Sequence, residues 1–152
     1  MDLERKLSDM GITLPAAGTA VGAYVPAKRC GNLVLVSGQL PMKDGKLMAS
    51  GPVPSRCSPE QAKAAARQCA INALGMVKAY QGTLANLVGV VRVGAFVASD
   101  NGFTQQPQIA NGASEFLIEV FGEAGRHVRA AVGTNVLPLD ASVEIEFIFE
   151  VI

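Results

Sequence analysis

Residues 142–151, SVEIEFIFEV, place Val143, Ile145, Phe147, Phe149 and Val151 at every second position. A period of two is the spacing of one face of an extended strand and fits no helix. The chain must therefore build a sheet around this segment and cover one of its faces. The other face carries Glu144, Glu146 and Glu150, yet Ile148 and Ile152 share it. A second face that is partly apolar is expected to be buried against another subunit. With 49% apolar and 17% charged residues, the chain is charge-poor for a monomer, which points the same way.

The material to cover the first face lies in two helical segments. Ser58-Pro59-Glu60-Gln61 reads as a helix start, with Ser58 as N-cap, Pro59 in the first position and Gln61 completing a capping box. The helix runs to about Tyr80, and Gly82 stops it. Its inward face, Ala62, Ala65, Ala66, Cys69 and Ala73, is small enough to sit close on a sheet. A second helix is predicted over 104–122, with Ile109, Ala113, Phe116, Leu117 and Val120 facing inward and Pro107 in the first turn. A short helix over 2–10 ends at Gly11, and 12–19 reads as loop. Strands are predicted near 20–28, at 33–37 after a turn at 30–32, at 88–99, at 127–136 and at 142–151. The LVLV run at 33–36 is apolar on both faces, as in a central strand covered on each side. Residues 43–46 form a tight turn and 47–57 are irregular. The order is β-β-α-β-α-β-β, an α+β single domain over 1–152. Residues 1–19 form an N-terminal extension, and the helices lie on one face of a mixed sheet.

Net charge is zero and no basic stripe appears, which argues against nucleic acid as a partner. Cys30, Cys57 and Cys69 match no zinc spacing, and with one histidine the soft ligands are too few for a metal cage. An odd thiol count suits reduced cysteines in a cytoplasmic protein, with Cys69 a small core residue. Residues 1–11 lack the apolar run of a signal peptide. No stretch approaches the ~18 apolar residues of a membrane span, so no membrane partner is expected.

Chemistry concentrates in residues 125–133, GRHVRAAVG. Strand alternation puts Arg129, Ala131 and Gly133 on one face, a nearly bare floor with a guanidinium at one end. Such a group can hook a small carboxylate bidentately, or it can pair with a structural glutamate or reach to water. Arg126 competes for the same role. His127, two residues from Arg129, reads as a surface or packing residue before it reads as a base. Glu144 and its neighbours can serve as a general base or as a partner for Arg129, or they can form the solvated charge row of an edge strand. In Ser37-Gly38-Gln39, Gly38 can let backbone approach a ligand and a following N–H bind an oxyanion, or mark an ordinary turn.

Together these pieces resemble the RidA/YjgF family, the reactive-intermediate deaminases also labelled endoribonuclease L-PSP. The matching pieces are GAYVPA (22–27), LVSGQLP (35–41), AARQCAINALGMVKA (65–79), VGAFVAS (93–99), NGASEF (111–116), RAAVGTNVLP (129–138) and VEIEFI (143–148). The resemblance implies a chorismate-mutase-like fold and a homotrimer whose three sheets close a central barrel, with ligand sites in clefts between subunits. It implies hydrolysis of small 2-imino acids, such as 2-iminopropanoate and 2-iminobutanoate, to 2-keto acids and ammonia, with no metal or organic cofactor. In it Arg129 matches the carboxylate-binding arginine and Glu144 the glutamate that positions water. Tyr24, Ser37, Gly38, Gln39, Phe96, Asn111 and Pro138 match substrate-binding positions. Ala131 stands where many members have cysteine and Ser114 where an aromatic is common, and the N-terminal helix and the 42–58 segment are longer than in compact members, so the chain looks like a divergent, longer branch. A trimer that binds a small carboxylate without turnover is the alternative. Nuclease activity fits poorly with the neutral charge.

Overall fold

The computed structural model describes residues 1–16 and 22–152. Strand β1 (Ala27–Cys30) and strand β2 (Leu33–Gln39) form a hairpin, and β3 (Met42–Lys43) with β4 (Lys46–Leu47) a second, smaller one. Helix α1 is Leu3–Asp9, α2 is Pro59–Gln81 and α3 is Gln106–Phe121. Strands β5 (Leu87–Ala98), β6 (Val128–Thr134) and β7 (Val143–Val151) complete the sheet in the order β1-β2-β7-β5-β6. Among the strands of this sheet only the β5–β6 pairing is parallel. It requires the crossover that α3 supplies, and the crossover lays α3 on the sheet.

The period-two pattern of β7 is realised literally. Val143, Ile145, Phe147, Phe149 and Val151 are all buried, while Glu144, Glu146, Ile148 and Glu150 face the other way. Helix α2 packs on β7 and β2, and α3 on β5 and β6. Both helices thus cover the same face, which also buries Val34, Val36, Val93, Ala95 and Val97. Each such valine, isoleucine or phenylalanine contributes roughly 1.5–3 kcal/mol when removed from water. The alanine face of α2 is fully buried at Ala62, Ala65, Ala66, Cys69 and Ala73. The predicted capping box is formed: Gln61 N donates to Ser58 Oγ and Ser58 N to Gln61 Oε1, each at 3.1 Å. Gly82 closes the helix at φ 78°.

Three expectations need correction. The first strand is Ala27–Cys30, not 20–28; residues 20 and 21 lie outside the described residues. Its ladder counts back from the two-residue turn at Gly31-Asn32, where Cys30 faces Leu33, and ends where Ser37 N donates to the Pro26 carbonyl. The LVLV segment is interior to the sheet but covered on one face only: Val34 and Val36 are buried, while Leu35 is exposed on the helix-free face. Strand β7 is the middle strand, so its glutamates are not an edge-strand charge row. The tight turn at 43–46 is present, with Asp44 and Gly45 both left-handed (φ 53° and 78°), as a type I′ hairpin demands. Among the described residues no helix is long and apolar enough to cross a membrane. Cys57 and Cys69 are buried and Cys30 exposed, all three as free thiols.

Candidate active site

Strand β2 breaks register between Val36, which faces Phe147, and Gln39, which faces Ile145. Three residues thus span what β7 covers in two, a β-bulge at Ser37-Gly38. The bulge is pinned locally: Ser37 Oγ donates to the Val25 carbonyl at 2.8 Å, and Gln39 Nε2 to the Ser37 carbonyl at 3.0 Å. The Glu144 carboxyl lies over Gly38. A Cβ built there would come 2.9 Å from Glu144 Cδ, so only glycine lets carboxyl and backbone approach this closely.

Beside the bulge is a cavity of about 490 Å³, into which Tyr24, Ser37, Gly38 and Gln39 all face. Leu40, Met42, Asn72, Met76 and Leu139 are among the other residues of its mostly apolar wall. Asn72 fixes that wall: its Nδ2 donates to the carbonyls of Leu40 (3.1 Å) and Met42 (2.9 Å), and its Oδ1 accepts from Gln68 Nε2 at 2.9 Å. Pro138 opens the turn that carries Leu139 to the cavity. Leu139 and Asp140 are both left-handed (φ 58° and 60°), a costly backbone conformation. An Arg56–Asp140 ion pair and a hydrogen bond from Gly51 N to the Asp140 carbonyl hold it.

Glu144 is half-buried, and its carboxyl is pushed up from the ordinary value, first by burial and then by the neighbouring charge of Glu146. Glu146 itself is paired with Arg92 at 2.9 Å. Phe96 faces Glu144 across the β5–β7 ladder, on the helix-free face.

Arg129 lies elsewhere. It faces Val93 on β5, a residue of the helix-covered face, and Phe96 is three positions along that strand. Arg129 and Glu144 therefore project from opposite faces of the sheet. The expected bare floor beside Arg129 is roofed by α3. Arg129 Nη1 donates to Asn111 Oδ1 at 2.8 Å and to Ser114 Oγ at 3.1 Å. A Cβ on Gly133 would meet Gln106 Nε2 at 2.8 Å. Among the described residues no carboxylate lies within 4.0 Å of Arg129, so the structural-glutamate alternative fails. Arg126 borders the same recess of about 190 Å³ but is tied to Glu123 at 3.2 Å. Of the two arginines at this recess, Arg129 is thus the one without a carboxylate partner among the described residues.

The sequence candidates thus fall into two groups. Tyr24, Ser37, Gly38 and Gln39 line the cavity at the bulge, with Glu144 over Gly38, Phe96 facing Glu144 across the ladder and Pro138 next to the cavity residue Leu139. Arg129 and Asn111 sit together across the sheet. Sequence reasoning missed Asn72 and the functional weight of Ser114. Gln68 and Asn72, an i,i+4 polar pair on an otherwise alanine-rich helix, were the available signal for the first. Ser114 lies one turn beyond Asn111, which was the signal for the second.

Comparison with known proteins agrees with this architecture. The chain is 39% identical to Protein TCP17 of Trypanosoma cruzi over 145 residues, covering 95% of this chain and 91% of that protein. It is 32% identical over 138 residues to a 2-iminobutanoate/2-iminopropanoate deaminase of Dermatophagoides farinae, covering 90% and 92%. Among solved structures, Atu1372 from Agrobacterium tumefaciens, of unknown function, superposes with a TM-score of 0.88 at 45% identity, covering 99% of this chain and 92% of that one. Residues 4–151 match one family across nearly the whole fold, and the chain belongs to it: the YjgF/chorismate-mutase-like endoribonuclease family.

Proposed function

We propose that the protein hydrolyses small 2-imino acids to 2-keto acids and ammonia, in clefts formed between the subunits of a homotrimer. The observation that carries this is Arg129: a guanidinium held by two neutral oxygens, with no carboxylate partner among the described residues. A fork so held suits a small carboxylate ligand. Glu144 supplies the second requirement, a half-buried carboxyl with a raised proton affinity, poised to exchange protons with water. The deaminase of Dermatophagoides farinae supports the same reaction class.

In this mechanism Arg129 binds the substrate carboxylate. Glu144 accepts a proton from water as the water oxygen bonds to C2 and the C=N π pair moves to nitrogen. The proton then passes to nitrogen to give the carbinolamine; its hydroxyl proton moves through Glu144 to the amine, the C–N bond breaks, and ammonia leaves as the carbonyl forms. The reaction is redox-neutral. Because Arg129 and Glu144 face opposite sides of one chain's sheet, the site takes Arg129 from one subunit and Glu144 from its neighbour.

The test is a coupled assay in which an amino-acid oxidase generates 2-iminobutanoate and semicarbazide traps what remains. Wild type should leave less trapped imine than buffer, and Arg129→Ala should match buffer. Equal activity in wild type and Arg129→Ala would refute the assignment of the hook. No activity in wild type would leave a carboxylate-binding trimer without turnover.

A further inference from the structure

We propose that Ser114 and His127 are positioning residues for Arg129, joined to it in a hydrogen-bond chain that sets the direction of the guanidinium. The proposal rests on reading Arg129 as the carboxylate hook. The chain begins at the carbonyl of Gly125, which lies 2.7 Å from His127 Nδ1. A carbonyl only accepts, so Nδ1 carries the proton and Nε2 of the neutral ring is an acceptor. Ser114 Oγ, 2.9 Å from Nε2, therefore donates its proton to the ring. Its lone pairs are then turned to Arg129, whose Nη1 donates to it at 3.1 Å. Every member has one consistent role, and the direction of each bond follows from the one before.

The anchor of this chain is rigid. Gly125 is buried at the end of the short 3₁₀ turn after α3. A Cβ there would come 2.4 Å from the Leu117 carbonyl oxygen, so the turn is pressed onto the helix and only glycine fits. Asn111 and Ser114, one turn apart on α3, grip the same Nη1. That grip occupies one nitrogen and leaves the rest of the fork for a ligand. The charged groups near the ring are Arg129 on β6 and Arg126 ahead of it, the latter tied to Glu123 on the 3₁₀ turn; α3 presents the uncharged Ser114 and Ile118. Burial and the Arg129 charge both hold the ring below the ordinary histidine value, against the opposing effect of the Gly125 bond. The neutral tautomer is thus the working form. Protonating Nε2 would turn it from acceptor to donor and strip Ser114 of its partner.

The experiment measures binding of 2-oxobutanoate to the full chain by titration calorimetry, at neutral pH and at a pH well below the ordinary histidine value. Ser114→Ala and His127→Phe should bind about tenfold more weakly at neutral pH, the scale of one hydrogen bond to a charged group. His127→Gln, which keeps an acceptor near the Nε2 position, should bind close to wild type. On acidification wild-type affinity should fall relative to that of His127→Gln, which shares every other titrating group of the site, Glu144 included. Undetectable binding by wild type, or equal binding by Arg129→Ala, would sink the hook itself. If Arg129→Ala loses binding while Ser114→Ala and His127→Phe keep it, the hook stands and the positioning chain is overturned. A rise in wild-type affinity relative to His127→Gln on acidification would also overturn it, by making His127 a second cation of the site.

Discussion

Burial and the Glu146 charge both raise the Glu144 carboxyl above its ordinary value. A carboxyl whose folded value exceeds its unfolded one holds its proton longer in the folded chain. Stability then falls as pH rises through the window between the two values, and the ionised group is a net cost at neutral pH. Glu144→Gln removes that cost. The gain expected at neutral pH is on the order of 0.5 kcal/mol, the size of one like-charge contact on a sheet face. That is about 1–2 °C in unfolding midpoint for a chain of this length. The gain should vanish below the ordinary carboxylate range, and imine turnover should be lost at every pH. Thermal scans of both proteins across acid and neutral pH would check this. A destabilised Glu144→Gln at neutral pH would mean that the carboxylate makes a structural bond in the working assembly.

Helix α2 separates what holds the fold from what holds the site. Its N-terminus is fixed by Ser58 and Gln61, remote from the cavity. Its middle carries Asn72, which secures the Leu40 and Met42 carbonyls of the cavity wall. Ser58→Ala should cost about 1 kcal/mol of stability and leave 2-oxobutanoate binding unchanged. Asn72→Ala strands two carbonyls and Gln68, so it should cost about 1–3 kcal/mol and weaken binding as well. Urea unfolding with parallel calorimetry would separate the two; binding losses of equal size would deny Asn72 any part in the wall. The same contrast explains what was legible in the sequence. The capping box, Gly82 and the alternation of β7 are local patterns, each set by a few neighbouring residues, and each is legible in the sequence. The bulge at Ser37-Gly38 is not local: it exists because β2 must pair with β7, more than a hundred residues away. The roofing of Arg129 by α3 likewise depends on the β5–α3–β6 crossover, which strand alternation alone does not reveal. Alternation gave the face of Arg129 correctly and could not say what lay above it. The Asn72 contacts were hidden for the same reason, since their acceptors lie on another element.

The helix-free face of the sheet carries Leu35, Ile148, Phe96, Val128 and Val132 among its charges. Strand β6, which bears Arg129, is an edge strand with an unpaired ladder. One chain holds Arg129 and Glu144 on opposite faces of its sheet, so the proposed site needs a second copy to bring them to one small acid. Val132 tests this, because it sits on that face and on that edge, opposite Phe96. It is 47% exposed in the single chain, so aspartate there removes little from the fold, within about 0.5 kcal/mol. Buried against apolar groups of a neighbour, the same carboxylate would pay a desolvation cost of several kcal/mol with nothing to pair it. Val132→Asp should therefore sediment as a smaller species than wild type, keep its circular dichroism and unfold as a cooperative monomer. It should also lose imine turnover with Arg129 and Glu144 both intact. A Val132→Asp protein that sediments like wild type would take this face out of the interface. A monomeric variant with full turnover would place the whole reaction within one chain, and the division of Arg129 and Glu144 between subunits would fall.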